Sequence, residues 1–220
     1  MSTKEQCSSG RFIYFTGVDG CGKSTVIDEL IKEYERKGIR AERVWLRFNY
    51  FFTRPVLLLS RIIGLTRREK KGGKIYSIHD FHKSRLIAVL VQYLHFIDTA
   101  FAYIIKVWIP LKCTDKIILC DKYVYDILAD FIVETKDSDL LDKNITRLFL
   151  KLIPRNMPII YLAVDKDEII KRKPEVLVDD EDYDFKYKVY TSIMDTFNMN
   201  KIQNLNLKDT LSAVKNILNI

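Results

Sequence analysis

Paired cysteines are missing from this 220-residue chain. Its four cysteines, Cys7, Cys21, Cys113 and Cys120, make no C-x-x-C pair and show no metal-ligand spacing, so neither a disulfide framework nor a cysteine-built zinc site organises the fold. Histidine is scarce, with only His79, His82 and His95. His79 and His82 lie three apart, but no nearby cysteine or acidic pattern completes a metal site, and both read as surface or core residues. An apolar leader is absent, because Ser2–Arg11 is polar; with unpaired cysteines this predicts a reducing, cytoplasmic setting. No Pro- or Ser-rich linker and no internal repeat divides the chain, which predicts a single domain over 1–220.

What is present is an ordinary globular balance, 48% hydrophobic and 30% charged residues, long enough to bury a real core. The formal net charge of +7 favours anionic partners: nucleotides, nucleic acid or acidic lipid. Leu86–Leu111 is long and apolar enough to resemble a membrane span, but Gln92, His95, Asp98 and Lys106 interrupt it. Charges in mid-membrane are costly, so the expectation is a core helix and no span.

Strand and helix signals alternate along the chain. Apolar runs predict strands at Arg11–Thr16, Ala41–Arg47, Lys116–Cys120, Met157–Val164 and, weakly, Lys201–Leu205. Helical spacing predicts Ser24–Lys37, Thr53–Gly64, one long helix or two in series over 79–109, two stretches near 123–134 and 138–152, then Lys166–Arg172, Tyr183–Phe197 and Lys208–Leu218. Thr66–Lys74, basic and broken by glycines, is expected to be a mobile loop. This alternation argues for an α/β fold with a five-stranded parallel sheet and helices on both faces.

Between the first strand and the first helix stands Gly17-Val18-Asp19-Gly20-Cys21-Gly22-Lys23-Ser24, a full G-x-x-x-x-G-K-[ST] phosphate-binding loop, followed by Thr25. Its glycines let successive N–H groups turn inward toward phosphate oxygens, and the following helix adds free N–H groups and its positive dipole end. In this motif Lys23 supplies charge to the β- and γ-phosphates, and the Ser24 hydroxyl ligates Mg²⁺. The pattern identifies a nucleoside triphosphate site in a P-loop NTPase fold without naming the reaction.

Two further features bear on that reaction. Asp121 follows the apolar strand directly, so its carboxylate is expected to face the loop and its metal, or to cap the next helix. Lys171-Arg172-Lys173, ahead of a proline-broken link, reads either as a basic lid over phosphates or as a solvated helix end. A GTPase would carry an N-K-x-D base-reading motif after a late strand, and this chain has none.

Phe15–Thr25, with Asp19 inside the loop, resembles the P-loop of thymidylate kinases. Ile118–Asp126 is similar to that family's strand followed by Asp-Arg-Tyr, Tyr161–Arg172 to its fourth strand and lid approach, and Asp182–Ile193 to the helix after the lid. The resemblance spans almost the whole chain in order and is poor across 48–95. It implies transfer of the ATP γ-phosphoryl group to a nucleoside 5′-monophosphate, most simply dTMP, with a short lid near 170–182 and a basic acceptor-side insertion near 53–78. By it, Lys23, Asp121 and Arg172 are catalytic; residues 17–25 bind ATP; and Ser24 and Asp121 hold Mg²⁺. Asp19 would contact the acceptor sugar, and Arg47 its phosphate. Gly20 stands where some members keep an arginine, and members lacking it use lid arginines, which favours Arg172.

The departures fall on the acceptor side. The family's Asp-Arg-Tyr is Asp121-Lys122-Tyr123 here, an expected second phosphate arginine falls at Thr99, and the base-stacking aromatic falls near His95 or Phe96. A base-reading Gln is replaced around Asp130-Phe131. Lys122, Tyr123, His95, Phe96 and Thr99 are therefore the expected acceptor-side residues beside Asp19 and Arg47. Homodimers are common in that family, and the 86–109 helix suits either such an interface or the core. Arg54, Arg61, Arg67, Arg68, Lys70, Lys71 and Lys74 concentrate charge beside the acceptor site. They read as a solvated segment over that site, or, less favoured, as a capture surface for nucleic acid or a lipid headgroup, with Phe48–Phe52 stacking on a base or packing in the core.

Overall fold

The computed structural model describes residues 12–71, 74–172, 183–197 and 199–220. Five parallel strands form the central sheet in the order β2-β5-β1-β6-β7: β1 Phe12–Thr16, β2 Ala41–Val44, β5 Ile117–Asp121, β6 Ile159–Ala163 and β7 Asn200–Gln203. Phe12, Ile13, Tyr14 and Phe15 of the central strand are fully buried, as expected for a strand covered on both faces. Among the described residues the helices are α1 Lys23–Arg36, α2 Thr53–Ile62, α3 Arg85–Tyr103, α4 Ile109–Cys113, α5 Val124–Thr135, α6 Asn144–Leu150, α7 Lys166–Arg172, α8 Tyr183–Thr196 and α9 Leu207–Leu218. Short 3₁₀ turns lie at Phe81–Lys83 and Ser138–Asp142.

One expectation fails. Thr66–Lys74 is not a loop: β3 Thr66–Lys71 pairs antiparallel with β4 Lys74–His79, in register from Thr66↔His79 to Lys71↔Lys74. Basic charge and paired glycines resemble loop composition, whereas Gly72-Gly73 between a polar run and the β-branched and aromatic run Ile75-Tyr76-Ser77-Ile78 is also a two-residue hairpin signature. At the base of the hairpin Thr66 Oγ1 lies 2.9 Å from His79 Nδ1 and 2.8 Å from Ser60 Oγ, tying it to α2.

The 79–109 stretch is helical only from Arg85, and α3 runs into α4 through a π-helical turn at Ile104–Trp108. Pro110 lies in the first turn of α4; the widened turn accommodates a residue that cannot donate to the preceding carbonyl ladder. Arg85–Cys113 is long and apolar enough to cross a membrane by length and composition. Of its polar residues, Gln92, His95, Asp98 and Thr99 are buried inside the protein, while Lys106 is exposed and donates to Asn49 Oδ1 (2.8 Å). Asp98 accepts hydrogen bonds from the main-chain N–H groups of Phe51 (3.0 Å), Phe52 (2.7 Å) and Thr53 (2.9 Å), so α3 caps the start of α2 from a distance.

A second buried carboxylate joins three elements behind the phosphate loop. Asp126 of α5 accepts from the hydroxyls of Tyr14 on β1 (2.7 Å) and Tyr190 on α8 (2.9 Å), and from Tyr123 N (3.0 Å). Full pairing is what makes a wholly buried carboxylate tolerable. It also fixes the spacing between β1, which launches the loop, and α8.

Candidate active site

Main-chain conformation shapes the loop after β1. Gly17, Gly20 and Gly22 adopt φ of 142°, 90° and 92°, in the region that favours glycine. A Cβ at Gly17 would meet Leu162 O at 2.6 Å, and one at Gly22 would meet Asn204 Nδ2 at 2.5 Å. Asn204, just past β7, donates to Cys21 O (2.7 Å) and accepts from Thr210 (2.8 Å), clamping the loop from the β7 side. Gly22 is the N-cap of α1 and no side chain caps that helix, so its first turn offers main-chain donors to an anion. Lys23 folds back on the loop, its Nζ donating to Gly17 O (2.6 Å) and Val18 O (3.0 Å). Burial alone would lower its pKa; the Cys21 sulfur and the carboxylates of Asp126, Asp19 and Asp121 outweigh this and raise it. It stays cationic at neutral pH.

Across from the loop, Ser24 Oγ donates to Asp121 Oδ2 at 2.9 Å. Asp121 is 8% exposed, and its Oδ1 is buried without a hydrogen-bond partner. A hydroxyl and a carboxylate with an unsatisfied oxygen form the hard, oxygen-only donor set that suits Mg²⁺, which needs few protein ligands when nucleotide phosphates supply the others. Among the described residues no cluster of three or more His, Cys, Asp or Glu forms a metal site by itself.

Four cations gather around Asp19. Lys122 and Lys186 both donate to its carboxylate, Lys186 at 3.3 Å, and Lys23 and Arg47 act on it through space. Burial opposes ionisation, yet Lys186, Lys122, Lys23 and Arg47 together hold the Asp19 carboxyl well below the ordinary range. Lys122 reaches it from a left-handed main-chain conformation, φ 69°, where a non-glycine residue is strained. Lys186 on α8 was missed in the sequence, since nothing in a solvated-looking helix marks a lysine that meets a loop 167 residues earlier.

Arg47 also lies at this edge, beyond β2. Its Nε and Nη2 donate to both carboxylate oxygens of Asp130 on α5, and its guanidinium lies 4.4 Å from the Phe48 ring centre. Next to it is a narrow cleft with room for about one water molecule, lined by Tyr50, Leu57, His79, Phe81, Val91, His95, Asp130, Phe131 and Glu134. Burial pulls His95 down to about 4 and pushes Glu134 up to about 8, with Asp130 adding to the latter. His95 is therefore neutral, and its buried Nε2 has no hydrogen-bond partner.

The expected acceptor residues divide. Asp19, Arg47, Lys122 and His95 reach the loop mouth or the cleft, as described. Phe96 packs edge-on against Phe149, at 5.5 Å between centres, and does not line the cleft. Thr99 is fully buried, its hydroxyl without a partner. Tyr123 lies in the core among Phe12, Tyr14 and Tyr103, and its hydroxyl donates to Leu152 O (3.0 Å). Apolar neighbours on β1 and α3 capture that ring, so the expected acceptor contact is corrected to a core role. Arg172 donates to Glu168 Oε1 (2.9 Å) and Leu205 O (2.7 Å), on the β6–β7 flank, opposite the β2–β5 flank that carries Arg47 and Lys122. The expected lid beyond it, 173–182, lies outside the described residues, Lys173 included.

No protein-family model matches the sequence, and no curated protein matches it. Solved structures do. A thymidylate kinase from Candida albicans, whose structure was described as revealing the origin of broad substrate specificity, is similar at a TM-score of 0.59 and 18% identity, over 96% of this chain and 92% of that one. A thymidylate kinase from Ehrlichia chaffeensis is similar at 0.54 and 16% identity, over 94% and 97%. The near-complete coverage of both chains shows that this chain has a thymidylate kinase-like fold.

Proposed function

We propose that this protein is an ATP-dependent nucleoside monophosphate kinase that converts dTMP to dTDP. The supporting observation is the convergence at one sheet edge of a donor site and an acceptor cleft: Lys23 and Ser24 after β1, Asp121 and Lys122 after β5, and Arg47 after β2, with the cleft opening beside Arg47. The loop amides and Lys23 would hold the ATP phosphates. Ser24 and Asp121 would hold Mg²⁺ with them, the ion supplying charge neutralisation at the transferring phosphoryl group. Arg47 would orient the acceptor phosphate in line, and the cationic group around Asp19 would stabilise the charge that spreads over the phosphoryl oxygens. The cytoplasmic setting read from the sequence belongs to this proposal. So does a homodimer, supported by the exposed Leu58, Ile62, Leu86, Tyr93 and Ile97 on α2 and α3; sedimentation velocity checks it.

A second reading has specific support. Thr99 is neutral and buried, and Lys122 is engaged by Asp19, so the acceptor pocket differs from the family pattern where dTMP would be read. A related kinase with another acceptor fits these residues. Incubation with Mg·ATP and a panel of nucleoside monophosphates, following ADP release, tests both. Release dependent on dTMP supports the first reading, and release dependent on another monophosphate the second. Hydrolysis stimulated by polynucleotide, with no small molecule phosphorylated, would defeat both and favour a nucleic-acid-binding ATPase.

A further inference from the structure

Arg47 meets the cleft already engaged. Its side-chain edge is taken by both oxygens of Asp130, with the guanidinium 7% and the carboxylate 14% exposed. This fork-to-fork arrangement is the one a guanidinium offers to a phosphate, and the same two donors cannot serve both anions. Arg47 also lies near enough to Asp19 to influence its ionisation, so a phosphate held by Arg47 would face the mouth of the ATP loop. Opening the pair leaves the Asp130 carboxylate without its cation, one helical turn from Glu134 in the same cleft. An uncompensated carboxylate in a half-dry site is costly unless something replaces the lost donors. Rings of Tyr50, Phe81 and Phe131 line the narrow cleft around it together with His95, whose buried Nε2 has no hydrogen-bond partner, so a planar polar group would enter only as the pair opens.

Resting on the kinase reading, we propose that the Arg47–Asp130 pair is an exchange device that sets acceptor specificity: the acceptor phosphate replaces Asp130 on Arg47, and the released carboxylate accepts an N–H of the acceptor's base. Asp130 is then a specificity-determining residue. A phosphate without a base opens the pair and leaves Asp130 stranded, whereas a base without a phosphate does not open it. Only a molecule carrying both groups at the right separation completes the exchange.

Calorimetry with inorganic phosphate, ribose 5-phosphate and dTMP tests this, beside steady-state kinetics. Asp130→Asn keeps an amide oxygen for the N–H but removes the charge that competes for Arg47. Affinity for inorganic phosphate should rise roughly tenfold, in the range of effects seen when a close charge partner is removed. The dTMP KM should fall while the ATP KM stays unchanged. Asp130→Ala removes the N–H acceptor as well, so the preference for dTMP over ribose 5-phosphate should shrink. If Asp130→Asn does not fold, Asp130→Ser serves the same comparison. A folded variant that binds phosphate no better than the wild type overturns the exchange, as does an equal loss on ATP and acceptor, the mark of a merely structural pair. If the wild type phosphorylates no monophosphate and yet Asp130→Asn binds phosphate more tightly, the kinase reading falls and the competition at Arg47 stands.

Discussion

Ser24 Oγ and Asp121 Oδ2 are joined by a 2.9 Å hydrogen bond that links the start of α1 to the end of β5, leaving the other Asp121 oxygen buried and unsatisfied. Each half makes sense only with the other. The hydroxyl comes from the phosphate loop and the carboxylate from the neighbouring strand, and parallel β1–β5 pairing carries both to the same edge, with Phe15 level with Asp121. Replacing Asp121 by Ala should lower turnover by about a hundredfold or more, and replacing Lys23 by Ala should do the same, the scale expected when a preorganised charge at a phosphate site is lost. ADP release at saturating Mg·ATP measures both. A near-normal rate in either variant would detach that residue from the phosphate site.

Arg172 gives a different expectation. Its guanidinium is bound to Leu205 O, the neighbour of Asn204, which holds the loop carbonyl of Cys21. That position is on the β6–β7 flank of the sheet, joined to the phosphate loop through Asn204 and away from Arg47. Arg172→Ala should therefore raise the ATP KM by about three- to tenfold with kcat and acceptor KM little changed, the pattern of lost ground-state binding. A drop in kcat with ATP KM unaltered would return Arg172 to the phosphoryl-transfer role read from the sequence.

The parts of the site that were legible in the sequence are those made by short stretches. Gly17–Ser24 is a local main-chain device, and Asp121 follows its strand immediately, so spacing alone exposes them. The pairing of 66–71 with 74–79 was hidden because a run of charge beside glycines looks like loop composition. Tyr123 departs from its expected place for another reason: alignment to a family position says where the main chain runs, while packing against Phe12, Tyr14 and Tyr103 decides where a ring points. Lys186 and Asp130 meet partners 167 and 83 residues away, and no periodicity encodes such meetings. One signal was available. Asp126, Asp130 and Glu134 recur every four residues on an otherwise apolar helix, an acidic stripe facing inward that called for partners.

Asp98 carries a stability prediction. It is 2% exposed and holds three consecutive main-chain N–H groups at the start of α2. Asp98→Ala would strand those donors, Thr53 N among them in a buried position, at a cost of about 2–4 kcal/mol. Asp98→Asn keeps one accepting oxygen and should cost less. Urea unfolding followed by fluorescence measures both; equal, negligible effects would mean that α2 starts without help from α3.

Glu134 should make stability depend on pH in a definite direction. Burial first and Asp130 second push its carboxyl from 4.5 to about 8 in the folded chain, against the pull of Arg47 and Lys186. Between those two values the folded protein holds a proton that the unfolded chain has released. The contribution is thus complete below the unfolded pKa and is lost as pH rises through about 8. His95 acts at the other end: burial lowers it from 6.5 to about 4, so it costs stability only as pH falls below 6.5, and His79 shifts the same way. The window from about pH 6.5 to 8.5 therefore isolates Glu134 from both histidines. Thermal melts across it should show the wild-type Tm falling with rising pH, and Glu134→Gln, which cannot ionise, should flatten the slope. An unchanged slope in Glu134→Gln would mean that Glu134 ionises in the folded cleft as readily as in water, and that Asp130 and the surrounding rings leave it hydrated.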